Sequence, residues 1–410
     1  MNILLVIGIA MAAGLLMSRV IRLLKLPNVT AFLLAGLIIG PCVSNLVTKE
    51  QVEGMHVITE VALGFIAYAI GGEFKLSYLK KIGKTPIVIT MFQGLATAAC
   101  VDVGLILCGY DVPLALLLGA IALATAPAAT LMVVRQYKAD GPLTKLLMLV
   151  VAIDDAVGLV LFSVSFGIAT ALSAGQASVL AVVVEPIVEI VLSLGLGAIM
   201  GWLLNFVEQF FHSRSKRLTI SVAFVLLTVG LSMLKFHIGP VHCGFSLLLV
   251  CMMTGTVFCN ICSTSEELMD RVDGWTMPLN ILFFVISGAE LDLNVLAQPV
   301  TLLVGVIYIL ARSACKYYGS AVSCRLTAQA KPITDNLGIT LLPQAGVALG
   351  MALTASTLPG GELTRNVVLF AVLVYELVGP TLTKRSLLKV GEIKPEGRTS
   401  ARRHNQPKMR

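Results

Sequence analysis

Apolar stretches of about twenty residues recur along this chain from its first residue to about residue 388. Each stretch is long enough to cross a hydrocarbon core about 30 Å thick as an α-helix. The 410 residues are 57% hydrophobic and 13% charged, and the mean hydropathy is +0.91, so the chain holds more apolar residues than one soluble core could bury. The sequence therefore predicts an all-α polytopic membrane protein.

The chain contains about thirteen such stretches. The predicted spans are 2–24, 28–46, 56–74, 85–108, 112–134, 145–171, 180–210, 218–235, 241–261, 275–291, 299–323, 333–356 and 363–388. In the first span the basic residues follow the apolar run instead of preceding it, which argues against a cleaved signal peptide. We expect this segment to be a membrane span with its N-terminus outside.

Lysine and arginine concentrate in every second connection between the predicted spans. The basic segments are 75–84, 135–145, 214–217, 325–331 and the tail from residue 384 onward. Cytoplasmic loops carry such an excess, so the pattern predicts an external N-terminus and a cytoplasmic C-terminus in the cytoplasmic membrane, as an odd number of spans requires. The net charge of +7 then reflects membrane orientation and does not indicate a nucleic-acid partner. We expect the basic tail to rest near anionic lipid.

Two short motifs recur at nearly the same distance along the chain. Segment Ile70–Leu76 resembles Ser287–Leu293, with an offset of 290 − 73 = 217, and the mid-span prolines of two other spans have an offset of 343 − 127 = 216. Because the equivalents lie seven spans apart, the repeated copies have opposite orientations, which is typical of secondary transporters. We predict a first inverted six-helix repeat over 1–172, a linker span over 173–212, a second repeat over 213–388 and a tail over 389–410.

Two adjacent acids, Asp154 and Asp155, lie inside the apolar run 146–171, nine or ten residues past Lys145. With a rise of about 1.5 Å per residue, they lie roughly 15 Å deep, at the bilayer midplane. A carboxylate at that depth costs about 2.5–3.5 kcal/mol on insertion scales and by default marks an ion pathway or a proton relay. We predict that Asp155 and Asp154 bind the ion and carry the proton.

The prolines Pro127 and Pro343 interrupt two spans at about the same depth. Interrupted backbone is tolerated there only where protein encloses it or where it lines a wet cavity. In transporters with inverted repeats, crossed discontinuous helices form the binding site. The ligands that we expect from these helices come from Thr125, Ala126, Pro127, Thr130, Pro343 and Gln344. Their oxygens suit a transported Na⁺ or Li⁺, and we expect no cofactor and no resident metal.

Further charged residues lie within the predicted spans. Arg312 is about eleven residues from the basic inner end of its span, whereas Lys316 is nearer that end and can reach the interface by snorkelling. Successive helix positions point about 100° apart. We therefore expect one aspartate to face the ion while the other pairs with Arg312. Glu376 is also intramembrane and is a secondary candidate, with either a structural or a functional role.

A buried carboxylate for which a proton and a cation compete is sufficient for antiport when access alternates between the two sides. The leading hypothesis is therefore exchange of Na⁺ or Li⁺ for H⁺. Exchange of K⁺ for H⁺, potassium efflux and sodium-coupled symport of an organic anion remain alternatives. An intramembrane aspartyl protease needs two carboxylates brought together from different helices, whereas neighbours in sequence splay apart, so we expect a transporter and not an enzyme.

Several segments resemble the monovalent cation:proton antiporter superfamily, which has the sodium/hydrogen exchanger fold, and specifically its aspartate-pair branch. The matching segments are 33–41, 125–130, 153–156, 283–291, 311–312 together with Lys316, and 341–348. The resemblance implies a homodimer in which a scaffold half supports a mobile core made of spans four to six and eleven to thirteen.

The same resemblance implies roles for the acid pair. Asp155 would bind the ion, and Asp154 would pair with the basic residue of span eleven. An aspartate pair favours electrogenic exchange of Na⁺ or Li⁺ for more than one proton. Many bacterial members of this branch have lysine where Arg312 stands, and arginine cannot release its proton. The stoichiometry is therefore open at this point.

Overall fold

The computed structural model describes residues 2–393 except for segments 24–26, 73, 77–82, 175–178, 235, 239–240 and 292–297. The described residues form sixteen α-helices and one short antiparallel hairpin. These elements are α1 (Ile3–Leu23), α2 (Asn28–Ile39), α3 (Lys49–Gly54), α4 (His56–Gly71), α5 (Thr85–Leu107), α6 (Val112–Leu123), α7 (Pro127–Tyr137), α8 (Pro142–Ala174), α9 (Val179–Glu208), α10 (Arg214–Ser232), β1 (Phe236–Ile238), β2 (Val241–Cys243), α11 (Leu247–Ile261), α12 (Ser265–Glu290), α13 (Pro299–Leu326), α14 (Lys331–Thr340), α15 (Gly346–Ala355) and α16 (Gly361–Val390).

The predicted all-α membrane architecture is confirmed. Among the described residues, 9 helical segments are long and apolar enough to cross a membrane, with α6 and α7 together forming one of them. The shorter apolar helices α2, α4 and α11, and the pair α14 and α15, occupy the other predicted spans. The number of thirteen crossings stays a prediction. One local correction is the hairpin β1–β2, because its second strand occupies the beginning of the predicted span 241–261.

The helices group into two bundles. Helices α1, α2, α4, α10, α11 and α12, which we call the scaffold helices, pack mainly on one another. Helices α5–α8 and α13–α16, which we call the core helices, form the second bundle, in which α13 packs on α5 and α16 packs on α13, α14 and α15. The long helix α9 contacts α11 in the scaffold and α8 in the core. This grouping matches the expected division between spans, whereas the mobility of the core stays a prediction.

Glycines allow the closest approaches among the scaffold helices. A Cβ atom on Gly71 would overlap the Met252 carbonyl where α4 meets α11, and one on Gly288 would overlap the Leu33 carbonyl where α12 meets α2. Small residues at membrane helix contacts let the backbones approach closely. These two glycines belong to the motifs matched at an offset of 217 (288 − 71). Both motifs therefore provide a close contact between two scaffold helices. The inverted repeat itself stays a prediction.

Two contacts join core helices that are distant in sequence. A disulfide joins Cys100 of α5 to Cys315 of α13, at a sequence separation of 215. Beyond the end of α16, the Glu392 carboxylate accepts the backbone N–H groups of Leu143 and Thr144 at 2.7 Å each and the Thr144 hydroxyl at 2.6 Å. A carboxylate at a helix N-terminus satisfies backbone donors that have no partner within the helix. Glu392 therefore caps α8, the helix that carries the two adjacent aspartates.

Candidate functional site

Both predicted helix interruptions are present in the core, and they cross each other. Helix α6 ends at Leu123 and α7 begins at Pro127, while α14 ends at Thr340 and α15 begins at Gly346. Proline suits the first position of a helix because its missing N–H would have no partner there. The Ala126 N–H donates to the Pro343 carbonyl at 2.8 Å, which joins the two extended stretches directly. The predicted crossed discontinuous helices are therefore confirmed.

Arg312 braces this crossing. Its side chain is fully buried, and it donates from Nε to the Ala122 carbonyl, from Nη2 to the Ala124 carbonyl and from Nη1 to the Leu342 carbonyl, each at 2.8 Å. These carbonyls stand at the C-terminal ends of the half-helices, where helical acceptors lack partners. The expectation that Arg312 pairs directly with an aspartate is wrong, because the interrupted backbone uses its donors instead.

Lys316 is the ion-pair partner of the acid pair. Its Nζ atom lies 3.0 Å from Asp154 Oδ2, and both side chains have no exposed surface. The same ammonium donates to the Leu123 carbonyl at 2.7 Å and to Thr125 Oγ1 at 3.0 Å. The expectation that Lys316 snorkels to the inner interface is therefore wrong. Its position four residues after Arg312 places both basic groups on one face of α13, and this spacing is the signal that the sequence interpretation missed.

The two adjacent aspartates have different surroundings. Asp154 Oδ1 accepts the Gln93 side-chain amide at 2.6 Å, and Oδ2 accepts the Thr125 hydroxyl at 2.7 Å in addition to Lys316. Asp155 is 4% exposed, and within the described part of the chain its Oδ1 atom has no hydrogen-bond partner. The structure therefore has one carboxylate fixed by three side chains beside another with a free acceptor oxygen.

Not all of the other predicted ligands contact the acid pair. Thr125 reaches the acid pair, but the Thr130 hydroxyl donates at 3.2 Å to the Ala126 carbonyl in its own turn. The Gln344 amide donates to the Ile121 carbonyl and to Tyr308 Oη, at 2.9 Å each. Thr130 and Gln344 thus bind the backbone and a tyrosine, whereas the predictions placed them at the ion. Ala126 and Pro343 supply the backbone pair described above, and Pro127 starts α7.

Glu376 is buried in α16, where it is 3% exposed. Its neighbour Tyr375 lies under the Arg312 guanidinium, with 4.5 Å between the guanidinium carbon and the ring centroid. Among the described residues no hydrogen bond joins Glu376 to Asp154 or Asp155. Its functional role therefore stays a prediction. Gln93, by contrast, contacts the acid pair and was not predicted, because a single neutral amide in an apolar span has no distinctive sequence pattern.

Comparison with known proteins identifies the family of this chain. The model of the family described as "Sodium/hydrogen exchanger, transmembrane" matches residues 7–389. The Na(+)/H(+) antiporter 1 of Methanocaldococcus jannaschii is 24% identical over 306 residues, which cover 71% of this chain and 68% of that protein. The ammonium/H(+) antiporter subunit AmhT of Alkalihalophilus pseudofirmus is 26% identical over 271 residues, which cover 64% of each protein.

Solved structures give the same result for the fold. Two structures of the sodium proton antiporter MjNhaP1 from Methanocaldococcus jannaschii superpose with a TM-score of 0.70 at 18% and 20% identity, over 95% of this chain and 98% of the other. At this identity the likeness shows the shared architecture. Because the family model covers nearly the whole described chain, this protein belongs to the sodium/hydrogen exchanger family.

Proposed function

We propose that the protein is a secondary active antiporter that exchanges Na⁺ or Li⁺ for H⁺ by alternating access, with unequal charge movement. The observation that carries the proposal is the contrast within the acid pair. Asp154 is held by Gln93, Thr125 and Lys316, whereas the buried Asp155 has one oxygen without a hydrogen-bond partner among the described residues. A buried carboxylate needs a proton or a cation to offset its lost hydration.

Competition at Asp155 couples the two fluxes. A cation that binds the carboxylate displaces the proton, and a proton that returns displaces the cation. An unliganded charged site crosses the hydrocarbon core at high cost, so the core moves with one of the two ligands bound. Each movement then carries either the cation or the proton, and net exchange follows the larger gradient.

Lys316 supports unequal charge movement. A buried lysine can release its proton, whereas arginine remains charged at every accessible pH. Arg312 could not carry a second proton, because arginine does not release its proton. The partner of Asp154 is instead Lys316, which can release one. In this proposal the Asp154–Lys316 pair carries the second proton, and more than one proton moves for each Na⁺.

The decisive test measures proton flux in proteoliposomes after pulses of Na⁺, Li⁺ and K⁺. We expect Na⁺ or Li⁺ to move protons in the wild type and Asp155→Asn to lower the initial rate by at least about a hundredfold. Asp140→Asn is a matched control, because Asp140 is an exposed loop residue whose carboxylate lies 3.0 Å from the Lys145 ammonium. Normal exchange by Asp155→Asn would refute the proposal, and a response to K⁺ alone would favour the K⁺/H⁺ alternative.

Charge movement is tested separately by recording currents on a solid-supported membrane after addition of Na⁺. Unequal exchange gives a current, because moving one net charge across 100 mV is worth about 2.3 kcal/mol. Exchange without current would reject the unequal stoichiometry and leave antiport intact. We further propose an external N-terminus in the cytoplasmic membrane, which the alternation of basic loops supports. The homodimer that the family resemblance implies is also part of this proposal.

A further inference from the structure

Around the acid pair, some buried hydrogen-bond acceptors lack a donor. Among the described residues, two fully buried acceptor oxygens there have no hydrogen-bond partner, namely Gln93 Oε1 and Asp155 Oδ1. Buried polar atoms are nearly always paired, and leaving one unpaired costs about 1–3 kcal/mol. Two unpaired acceptors beside one ion pair therefore require an explanation.

The donor hydrogens of Lys316 and Thr125 are already committed. Lys316 Nζ has three acceptors, at 2.7, 3.0 and 3.0 Å, which use the three hydrogens of an ammonium. The Thr125 hydroxyl donates to Asp154 Oδ2 at 2.7 Å. No donor among these side chains remains for the two free oxygens. The site thus has a surplus of acceptors, which is the condition that a bound cation satisfies.

Gln93 is well placed to act at this site. It lies on α5 with no exposed surface, and its Nε2 atom is 2.6 Å from Asp154 Oδ1. An ionised carboxylate only accepts hydrogen bonds, so the amide nitrogen faces Asp154 and the amide oxygen points elsewhere. From the dimensions of an amide group, that oxygen lies within about 5 Å of Asp154 Oδ1. The disulfide Cys100–Cys315 fixes α5 against α13, which carries Lys316.

We propose that Gln93 is part of the cation site: its amide nitrogen positions Asp154, and its amide oxygen joins Asp155 Oδ1 as a ligand of the transported Na⁺ or Li⁺. This inference rests on the proposed exchange function. A neutral amide oxygen adds a hard ligand without another negative charge. The site therefore keeps one ionisable ligand, Asp155, for which a proton and a cation compete.

The experiment compares Gln93→Leu and Gln93→Glu with Thr97→Val as a matched control. Thr97 is buried one turn further along α5, and its hydroxyl donates to the Gln93 backbone carbonyl at 2.7 Å, so the control alters the same turn but leaves the Gln93 side chain in place. Two measurements are made on each protein. Proton flux in proteoliposomes gives the KM for Na⁺ and the pH profile, and unfolding in detergent gives the shift of the midpoint caused by Na⁺.

Gln93→Leu removes the donor and the acceptor together. We expect it to raise the KM for Na⁺ at least about tenfold and to lose most of the stabilisation by Na⁺. Gln93→Glu keeps an acceptor oxygen and adds a charge. We expect it to retain Na⁺ affinity at alkaline pH and to require a more alkaline pH for activity, because three carboxylates then repel one another. Thr97→Val should match the wild type in both measurements.

The outcomes separate this inference from the proposed function. If Na⁺ moves no protons in the wild type, the exchange proposal fails. If the wild type exchanges and Gln93→Leu keeps a normal KM and a normal shift of the midpoint with Na⁺, the role of Gln93 is refuted while exchange stands. If Gln93→Leu does not fold, Gln93→Glu decides the question, and a tenfold loss of Na⁺ affinity at alkaline pH in that variant refutes the ligand role.

Discussion

The break between α6 and α7 and the break between α14 and α15 each leave a short extended stretch within the core. Their side chains face different partners. Thr125, from the first break, donates to Asp154 and accepts from Lys316. Gln344, from the second break, binds Tyr308 and the Ile121 carbonyl. The first break therefore contributes to the proposed ion site, whereas Gln344 of the second break makes hydrogen bonds that hold neighbouring helices together.

One side chain serves both breaks. Arg312 binds two carbonyls from the first break, of Ala122 and Ala124, and one from the second, of Leu342. A similar backbone in two places has thus been given different side chains. Two segments with a similar backbone can therefore differ in their chemistry. Substitutions in each break test this difference.

The largest effect is expected from Arg312→Met, because it removes the support of both breaks at once. Three buried carbonyls would lose their donor, at about 1–3 kcal/mol each. We expect a loss of several kcal/mol in the free energy of unfolding, with partial recovery in Arg312→Lys, which keeps the charge but has fewer donors. Thermal unfolding in detergent measures this. Arg325→Met, an exposed position of the same helix, is the control, and an unchanged midpoint for Arg312→Met would contradict the bracing role.

Thr125→Val tests the first break alone. The variant removes one donor to Asp154 and one acceptor for Lys316, and we expect exchange to slow about tenfold or more, with recovery in Thr125→Ser. Initial rates of proton flux give the measurement. Thr130→Val is the matched control, because the Thr130 hydroxyl donates to the Ala126 carbonyl of its own turn and does not contact Asp154 or Lys316. The rate of this variant should stay within about twofold of the wild type. Equal losses in the two variants would show that the first break has no special role.

Gln344→Leu tests the second break. We expect the free energy of unfolding to fall by about 1–2 kcal/mol, because Tyr308 and the Ile121 carbonyl lose a partner. The KM for Na⁺ should change by less than about twofold, since Gln344 does not touch the acid pair. A double-mutant cycle with Tyr308→Phe isolates the coupling energy in this pair. A large rise in the KM for Na⁺ would instead place the second break at the ion.

The smallest effect is expected where the half-helix after the first break meets the scaffold. Arg135 of α7 lies 2.6 Å from Asp273 of α12, and both side chains are about a quarter exposed, at 27% and 28%. Ion pairs with this exposure contribute about 1 kcal/mol or less. We expect Arg135→Gln and Asp273→Asn to change stability by no more than that. A double-mutant cycle of these two variants measures the coupling energy of the pair. A value well above about 1 kcal/mol would show that this contact holds the core helices strongly against the scaffold helices.

Much of this arrangement follows from the sequence. Composition predicts the membrane fold, two prolines predict the breaks, and counting residues from the basic ends predicts the depth of Asp154 and Asp155. Each of these depends on local pattern, such as hydrophobic run length or the missing proline N–H.

The partners of the acid pair could not be obtained in the same way. Lys316 and Gln93 lie 162 and 61 residues from Asp154 along the chain. Depth gives the level of a residue in the membrane but not the direction that its side chain faces. Sequence pattern also does not show which side chain supplies hydrogen-bond donors to the interrupted backbone, and this determines where Arg312 binds.

The Glu392 contact affects how the protein should be handled. A chain shortened after Gly391 would lose the carboxylate that caps α8, whereas one shortened after Ile393 would keep it. Ile393 is itself buried in a hydrophobic cluster of the core. Affinity tags and fluorescent fusions therefore belong after Ile393, and poor transport by a shorter chain would reflect the loss of the carboxylate that caps α8.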